Sequence, residues 1–170
     1  AFAVRRILVT RPTGDASDIL CAALKMDGYE VFSQPLLVLQ RLPQIPVVQC
    51  KMLLHLDRYQ HVIFISSNAV HFGMALIEDY WPQLPVDLNW YAIGAATASK
   101  LERFGIEALT PGRAMTSEGL LALSLLQNVR DQRVLIVKGQ GGRDTLAQEL
   151  TRRGALVDEL PCYCRCLPEM

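Results

Sequence analysis

The chain has 170 residues, of which 51% are hydrophobic and 20% are charged, and its formal net charge is +0. This composition can fill the core of one domain or of two small ones, and no apolar run approaches the length of a membrane span. A net charge of zero excludes a strong electrostatic field around the whole protein, so neither nucleic acid nor an anionic membrane is an expected partner.

Short apolar runs rich in strand-forming residues recur along the chain. They do not alternate in polarity, which is typical of strands buried on both faces of a parallel sheet. Helical stripes lie between them, and this alternation of strand and helix predicts an α/β fold. In chain order, the predicted strands are residues 6–9, 29–32, 36–39, 62–65, 90–93, 106–109, 134–137 and 155–157.

One local pattern occurs three times, at Gly28, Gly105 and Gly154. A leucine fills the last helical turn, the glycine takes the left-handed position that ends the helix, and a strand follows at once. A proline comes after each strand, and we expect it to stop the strand because it cannot donate to the ladder. These prolines are Pro35, Pro111 and Pro161.

Three helices carry recognisable signals. Apolar residues at helical spacing over 69–77 predict the first. Thr145 and Gln148 are spaced as a capping pair at the start of another. Thr116 precedes a third helix, which has an apolar side. That side comprises Leu120, Leu121, Leu123 and Leu125.

Prolines at Pro35, Pro43 and Pro46 predict a domain boundary. The strand–helix–strand unit before them is too small to bury its own sheet. It therefore needs further strands, either from later in the chain or from another chain. We expect the sequence to stop, near Met170, where a crossing back to the first domain would begin.

Five turns that precede helices are candidates for the working surface, because ligands of open α/β sheets bind at the carboxyl ends of strands. Each turn is small, hydroxylated or glycine-rich, and helix N-termini expose amides that bind carboxylate or phosphate. Taken singly, each is more simply explained by ordinary helix capping, so the five predict a binding edge only if they converge. The turns are residues 10–14, 66–68, 94–97, 116–118 and 139–143.

Familiar cofactor and catalytic motifs do not occur in the sequence. The turn at 139–143 is spaced GxGG rather than GxGxxG, which argues against NAD binding. His55, His61 and His71 are dispersed, which favours capping and surface roles over catalysis.

The five cysteines have no disulfide-like spacing, which fits a reducing cytosol. Cys162, Cys164 and Cys166 alternate along one predicted strand and share a face of it. Without a CxxC pair or a nearby histidine, they predict plain thiols rather than a metal site.

The strand-end motifs together resemble the bacterial-type uroporphyrinogen-III synthases. Their order and spacing agree along essentially the whole chain, although each motif alone is loose. The matching segments are 7–12, 64–70, 92–98, 117–121, 137–139, 141–143 and 153–155, the last leading to Tyr163.

The resemblance implies a cytoplasmic lyase that closes the linear tetrapyrrole hydroxymethylbilane to uroporphyrinogen III, with loss of water and inversion of ring D. It implies no metal or cofactor, and a small-molecule substrate as the partner of a chain that is monomeric when full length. This substrate carries eight carboxylates and closes to the symmetric isomer when left alone, so the protein must control its shape.

The resemblance also implies the domain plan, which is two flavodoxin-like parallel-sheet domains joined by a two-stranded linker. The first domain is discontinuous, and it is expected to be incomplete in this chain. Its first part is 1–35, a linker strand is 36–42, the complete second domain is 43–160, and the return linker is 161–170. Because the family supplies further substrate-binding residues from a C-terminal third, we expect these 170 residues to be weakly active or inactive.

Candidate site residues follow from the same resemblance. Tyr163 matches the family tyrosine that assists departure of the hydroxyl as water, with packing on the linker strand as its alternative role. Capping is the alternative role of the serine and threonine matches, and a solvated or salt-bridged surface position is that of the two arginines. The expected substrate-binding residues are Arg11, Ser66, Ser67, Thr97, Lys138, Gly139 and Arg143.

Two other classes of protein share this architecture. A non-catalytic flavodoxin-like or receiver-like module would need exposed aromatics or clustered acids at its loops, and Thr10 and Arg11 supply no acid after the first strand. Only Trp90 and Tyr91 lie near a strand end. A periplasmic-type binding protein would be expected to carry disulfides. The product isomer formed from hydroxymethylbilane discriminates these alternatives from the synthase.

Overall fold

The computed structural model describes residues 5–169. It separates the chain into two compact units, one drawn from the chain up to Gln40 together with the chain from Cys164 onward, and the other comprising Arg41–Tyr163. Among the residues described, no helix is long and apolar enough to cross a bilayer.

Strands and helices alternate along most of the chain, as expected for an α/β fold. In order they are β1 Arg6–Val9, α1 Asp15–Met26, β2 Glu30–Ser33, β3 Val38–Arg41, α2 Val47–Leu54, β4 His61–Phe64, α3 Ser67–Tyr80, β5 Asn89–Ala92, α4 Ala95–Glu102, α5 Ser117–Leu121, β6 Arg133–Gly139, α6 Thr145–Arg152 and β7 Leu156–Cys166. Short 3-10 turns occupy Leu56–Arg58 and Ser124–Leu126.

The first unit contains the predicted strand–helix–strand element. β1 and β2 are connected by α1 and pair in parallel, with Ile7 opposite Val31 and Arg6 opposite Glu30. The Arg6 guanidinium and the Glu30 carboxylate form an exposed ion pair at 2.8 Å. Such a pair contributes at most about 1 kcal/mol, because water screens it.

The second unit is organised around a mostly buried sheet. Its strands follow the order β7-β6-β4-β5, and β3, most of which belongs to the first unit, is the neighbour of β7 in the same sheet. The β4–β5, β4–β6 and β6–β7 pairs are all parallel. Every residue of β4 is buried, and so are residues 134–139 of β6. The predicted α/β class with parallel strands is therefore confirmed.

Helices cover both faces of this sheet. On one face α3 packs closely at Gly73, where a Cβ would collide with a side-chain methyl of Val137. On the other face Ile63 and Ile136 share a buried cluster with Leu146 and Leu150 of α6. Alternate residues of one strand face opposite sides, so both helical layers are anchored by the same strands.

The helix-ending role of the three repeated glycines is confirmed. Gly28, Gly105 and Gly154 have φ of 86°, 74° and 89°. In each case the amide after the glycine bonds back to the leucine carbonyl of the last helical turn, for example from Ala155 to Leu150 at 3.1 Å. A residue with a Cβ would lose roughly 1–2 kcal/mol in this left-handed conformation.

The prediction that Pro161 ends its strand is wrong. β7 continues through it to Cys166. Pro161 lies opposite Lys138, directly before a register shift in which Cys162 is an extra residue of β7. A bulge leaves backbone groups outside the regular ladder, so the missing N–H of a proline is tolerated there.

The predicted strand at 106–109 is also wrong. Among the described residues this segment contributes an isolated bridge between Tyr91 and Leu109. Two bonds hold it, from the Leu109 amide to the Trp90 carbonyl and from the Ala92 amide to the Leu109 carbonyl. Its single contact point at the sheet edge explains why strand-forming residues alone did not produce a strand.

Two helix predictions need correction. Thr116 caps α5 as expected, through a 3.1 Å bond from the Gly119 amide to its Oγ1. The helix stops at Leu121, however, and Leu123 precedes a separate 3-10 turn that contains Leu125. The capping pair of Thr145 with Gln148 does not form. Asp144 occupies the N-cap position, and its carboxylate turns towards Lys138 at 3.7 Å.

The surface role expected for His61 is wrong. Its side chain is buried, with Nδ1 2.9 Å from the Tyr91 hydroxyl and Nε2 2.6 Å from Oε1 of Gln132. Because an amide oxygen can only accept, Nε2 carries the proton and Nδ1 accepts from Tyr91. Burial lowers the pKa of His61. This network lies at the amino ends of the strands, away from the candidate binding edge.

Candidate functional site

Three of the predicted turns meet at one edge of the second unit. The turns at 66–68, 94–97 and 139–143 follow β4, β5 and β6, which are parallel neighbours. Their carboxyl ends therefore share an edge of the sheet, as the sequence predicted. The side chains at this edge divide between the two faces of the sheet.

On the face covered by α3, Tyr163 forms the centre of a small cluster. Its ring stacks on Phe72 with centroids 5.1 Å apart, and its hydroxyl lies 3.4 Å from Oγ of Ser66. Ser66 caps α3 by accepting a 3.1 Å bond from the Ala69 amide. The Ser66 Oγ is thus fixed by the helix start, and it holds the phenol oxygen at the end of β4. Tyr163 is 1% exposed.

Gly139 makes room for this ring. A Cβ built at Gly139 would stand 2.6 Å from Cζ and 3.0 Å from Oη of Tyr163. The Gln140 amide also donates to the Tyr163 carbonyl at 2.7 Å. The bulge between Lys138 and Gly139 therefore brings the backbone of β6 directly against the tyrosine, which a side chain at 139 would prevent.

The opposite face of the sheet carries a cavity of about 390 Å³ at the same edge. This volume is within the range of small-molecule sites, roughly 300–1,000 Å³. Its lining combines apolar and polar side chains. The lining includes Ile65, Ile93, Ile136, Thr116, Ser117, Glu118, Lys138, Arg143, Thr145 and Glu159. Two predicted site residues, Lys138 and Arg143, are thus brought together here.

Lys138 is buried, and the charge of its ammonium is balanced by two carboxylates. Its ammonium lies 2.9 Å from Oε1 of Glu159 and 3.7 Å from Oδ1 of Asp144. A buried ammonium requires such partners, because removing it from water without one is costly. An ammonium has three N–H donors, so a substrate carboxylate could be bound by Lys138 beside these two partners. Arg143, by contrast, is exposed and projects from the turn before α6.

Helix starts at this edge offer backbone donors. α4 begins after Gly94, which has no side chain to cap the first amides. α6 begins after Asp144, whose carboxylate is engaged by Lys138. The first amides of both helices are therefore available to an anion, and the helix dipole favours one there.

The remaining predicted residues occupy separate positions. Ser67 is the half-buried first residue of α3, and Thr97 is buried in the first turn of α4. Arg11 belongs to the other unit, where it is exposed in the loop after β1. The site therefore comprises two clusters at one edge, with Ser67 and Thr97 at the helix starts beside them.

Sequence reasoning missed three residues that shape these clusters. Phe72 had been assigned only to the apolar stripe of its helix, and it stacks on Tyr163. Glu159 and Asp144 neutralise Lys138. The adjacent carboxylates of Asp158 and Glu159, inside a strand flanked by apolar residues, were a usable signal for Glu159. Its partner could not be named without the pairing of β6 with β7.

The part of the chain that the structure describes holds no group of three or more His, Cys, Asp or Glu side chains arranged to bind a metal. All five cysteines are free thiols. Burial raises the pKa of Cys162 to about 12, and its Sγ donates to the Lys138 carbonyl at 3.1 Å.

Comparison with known proteins identifies consistent relatives. The family model described as uroporphyrinogen-III synthase HemD matches residues 18–170. A uroporphyrinogen-III synthase of Proteus mirabilis is 35% identical over 160 residues, covering 94% of this chain and 79% of the relative. That of Escherichia coli K12 is 36% identical over 167 residues, covering 94% of this chain and 65% of the relative.

Solved structures support the same fold. A mutant uroporphyrinogen III synthase of Thermus thermophilus superposes with a TM-score of 0.65 at 19% identity, covering 98% of this chain and 64% of that one. The uroporphyrinogen-III synthetase of Helicobacter pylori gives 0.57 at 16% identity, with the same coverage. The chain therefore spans just under two thirds of both structures and of the Escherichia coli relative.

Proposed function

Because the chain belongs to the uroporphyrinogen-III synthase family, whose members act in tetrapyrrole biosynthesis, we propose that it acts on hydroxymethylbilane. The proposed reaction closes this linear tetrapyrrole to uroporphyrinogen III, with loss of water and inversion of ring D. The observation that carries the proposal is the placement of Tyr163 against Ser66, 3.4 Å apart, at the carboxyl edge of the sheet. This edge is where α/β folds bind ligands.

Tyr163 is the proposed catalytic residue. A phenol donates a hydrogen bond at neutral pH, so its hydroxyl can assist the departing hydroxyl of the substrate to leave as water. Ser66 holds the phenol oxygen, and Phe72 fixes the plane of the ring. Gly139 keeps the backbone clear of that ring. A donor restrained in this way loses little entropy when the substrate arrives.

Substrate carboxylates are the proposed ligands of the helix starts and of the cavity. The amides at the start of α4 and α6 supply dipoles rather than mobile charges, which favours a defined substrate conformation. Arg143 adds an exposed guanidinium, which can bind a carboxylate through two hydrogen bonds. Arg11, Ser67, Thr97 and Lys138 are proposed as further contacts.

The chain is proposed to be a lyase that works without a cofactor. Its proposed organisation is two flavodoxin-like domains, with the first part of domain 1 at 1–35, a linker strand at 36–42, domain 2 at 43–160 and the return linker at 161–170. The physical requirement is restraint of a flexible polyanion. Protein dipoles and a single proton donor suffice for that task, because the substrate itself supplies the leaving group and the nucleophilic carbon.

An isomer assay with protein in molar excess over hydroxymethylbilane tests the proposal. Excess protein makes a single slow turnover visible. The porphyrinogens are oxidised to porphyrins, and types I and III are separated by chromatography. A buffer blank gives the spontaneous type I background, and the Tyr163→Phe variant serves as the matched control.

We propose that these 170 residues are weakly active, so we expect a small fraction of type III above the blank with the unmodified chain and a lower fraction with Tyr163→Phe. Type I at the blank level, from chain that is folded by circular dichroism, contradicts the proposed reaction. Tight binding of hydroxymethylbilane without any type III product would instead support a non-catalytic binding module.

A further inference from the structure

Two thiols of β7 lie in contact with each other. Cys164 and Cys166 are separated by one residue, and their Sγ atoms are 3.2 Å apart. Residues two apart on a strand point to the same side, which is why the sulfurs meet. Their Cα atoms are separated by about 6.6 Å at the usual rise of a strand. That separation lies within the range that a disulfide spans, roughly 4.4–6.8 Å.

The other thiols of the chain differ in ways that matter. Cys162, on the same strand, is 1% exposed, and its raised pKa makes it a poor nucleophile. Cys21 and Cys50 are half-buried and lie in separate helices. Cys164 and Cys166 combine partial exposure with direct sulfur contact, so they are the pair that can react with each other.

We propose that Cys164 and Cys166 form a redox-active dithiol that a low-molecular-weight disulfide, such as oxidised glutathione, converts to an intrastrand disulfide. The Cys164 thiolate attacks one sulfur of the oxidant, which gives a mixed disulfide and releases one thiolate. The Cys166 thiolate then attacks the Cys164 sulfur and releases the second. Two protein thiols lose two electrons, and the oxidant becomes two thiols, which take up the two protons.

The order of attack follows from the contact. The hydrogen bond with Cys164, followed by burial, raises the pKa of the Cys166 thiol. Cys166 is therefore the poorer nucleophile of the pair, and its S–H can donate to the Cys164 sulfur as that sulfur attacks the oxidant. Once Cys164 carries the mixed disulfide, the neighbouring sulfur is already at contact distance. Ring closure should then outpace the accumulation of the adduct.

The disulfide would be labile rather than structural. The Cα separation is at the upper end of the permitted range, so closure draws an extended strand together. Strained disulfides have more oxidising potentials and are easily reduced. The pair directly follows Tyr163, where β7 passes from Arg41–Tyr163 into the other unit. Oxidation would therefore alter the strand that carries the proposed catalytic residue.

Thiol counting with peptide mapping tests the proposal. The reduced chain is incubated with a glutathione buffer of fixed poise, alkylated with iodoacetamide and weighed intact. The fully reduced chain takes five alkyl groups, one per cysteine. Trypsin cleaves after Arg165, so a Cys164–Cys166 disulfide leaves two peptides joined until reductant separates them. Cys164→Ser and Cys166→Ser are the test variants, and Cys21→Ser is the matched control.

We expect the unmodified chain to take three alkyl groups after oxidation, with the missing pair mapping to Cys164 and Cys166. Cys21→Ser should lose the same pair. Cys166→Ser should accumulate a glutathione adduct on Cys164 that the unmodified chain does not retain. The proposal is overturned if the unmodified chain retains glutathione adducts to the same extent as Cys166→Ser, or if the lost thiols map to Cys21 and Cys50.

Discussion

Replacing Gly139 with alanine tests how Tyr163 is held. The added Cβ would lie 2.6 Å from Cζ, 2.8 Å from Cε2 and 3.0 Å from Oη of the tyrosine. Ordinary carbon contacts begin near 3.4 Å, so the ring must move by about 0.8 Å. It cannot move freely, because Phe72 stacks on it and the Gln140 amide holds its carbonyl.

Overpacking of this kind costs about 1–3 kcal/mol. Gly139 does not adopt a positive φ, so alanine fits its backbone and lowers the entropy of the unfolded chain, which returns about 0.4–1 kcal/mol. The midpoints of these ranges leave a net loss of unfolding free energy of about 1.3 kcal/mol, or roughly 3–5 °C in Tm for a chain of this size. A displacement near 1 Å at the proposed donor should also lower type III formation, by up to about 100-fold.

Gly94→Ala is the matched control. Gly94 also ends a strand and precedes a helix, but its φ is −122° and the nearest atom to an added Cβ is Thr97 Oγ1 at 3.9 Å. Thermal denaturation is run on both variants, and the isomer assay compares Gly139→Ala with the unmodified chain. A Gly139→Ala chain that matches Gly94→Ala in Tm and the unmodified chain in type III yield would refute the close packing of Tyr163 against β6 and its role in the reaction.

Further expected outcomes concern separate groups. Tyr163→Phe keeps the ring but loses the hydroxyl near Ser66, so stability should change by less than about 1.5 kcal/mol in urea unfolding, while type III formation falls by about 100-fold in the isomer assay. Burial lowers the folded-state pKa of His61 below its ordinary 6.5, so below that pH the unfolded chain takes up a proton that the folded chain refuses. The free energy of unfolding should fall as the pH drops below 6.5, and His61→Gln should reduce that slope in urea titrations at several pH values. Lys138→Met leaves the carboxylates of Asp144 and Glu159 without their cation. It should lower the free energy of unfolding in urea by about 1–3 kcal/mol, which is less than for a fully buried pair because both carboxylates are partly exposed. Arg143 is exposed, so Arg143→Met should leave stability within about 0.5 kcal/mol and should weaken binding of a polycarboxylate porphyrin in a fluorescence titration.

Local chemistry made part of this fold predictable. Gly28, Gly105 and Gly154 marked helix ends because a left-handed residue is needed wherever a strand follows a helix at once. The apolar runs around 62–65 and 134–137 marked central strands because burial on both faces leaves no polar alternation. These signals lie within a few residues of one another, so the chain reveals them without its tertiary structure.

The errors came from long-range context. Pro161 remains in a strand because the register shifts directly after it, with Cys162 as an extra residue of β7, and this shift depends on how β7 pairs with β6. Asp144, rather than Thr145, occupies the N-cap position of α6, and its carboxylate pairs with the Lys138 ammonium at the end of β6. Strand-forming residues at 106–109 reach only the border of the sheet, so they make a single bridge.

The candidate site shows the same division. Tyr163, Ser66 and Gly139 were expected to bind or act on substrate, and the structure brings them together at one strand end. Their mutual contacts were not foreseeable, because they depend on the register of β6 against β7. Lys138 was expected to bind substrate, and the carboxylate of Glu159 became visible as its partner only through that pairing.

Amide mapping by heteronuclear NMR tests the proposed binding edge most directly. The ¹⁵N-labelled chain is titrated with uroporphyrin III, a stable polycarboxylate of the product's shape. We expect the amides of Ala95, Ala96 and Thr145 to shift, while His61 and Gln132 at the amino ends of the strands stay in place. Shifts confined to the amino ends, or a saturating titration that leaves the helix starts unmoved, would contradict the binding of carboxylates by these strand-end turns.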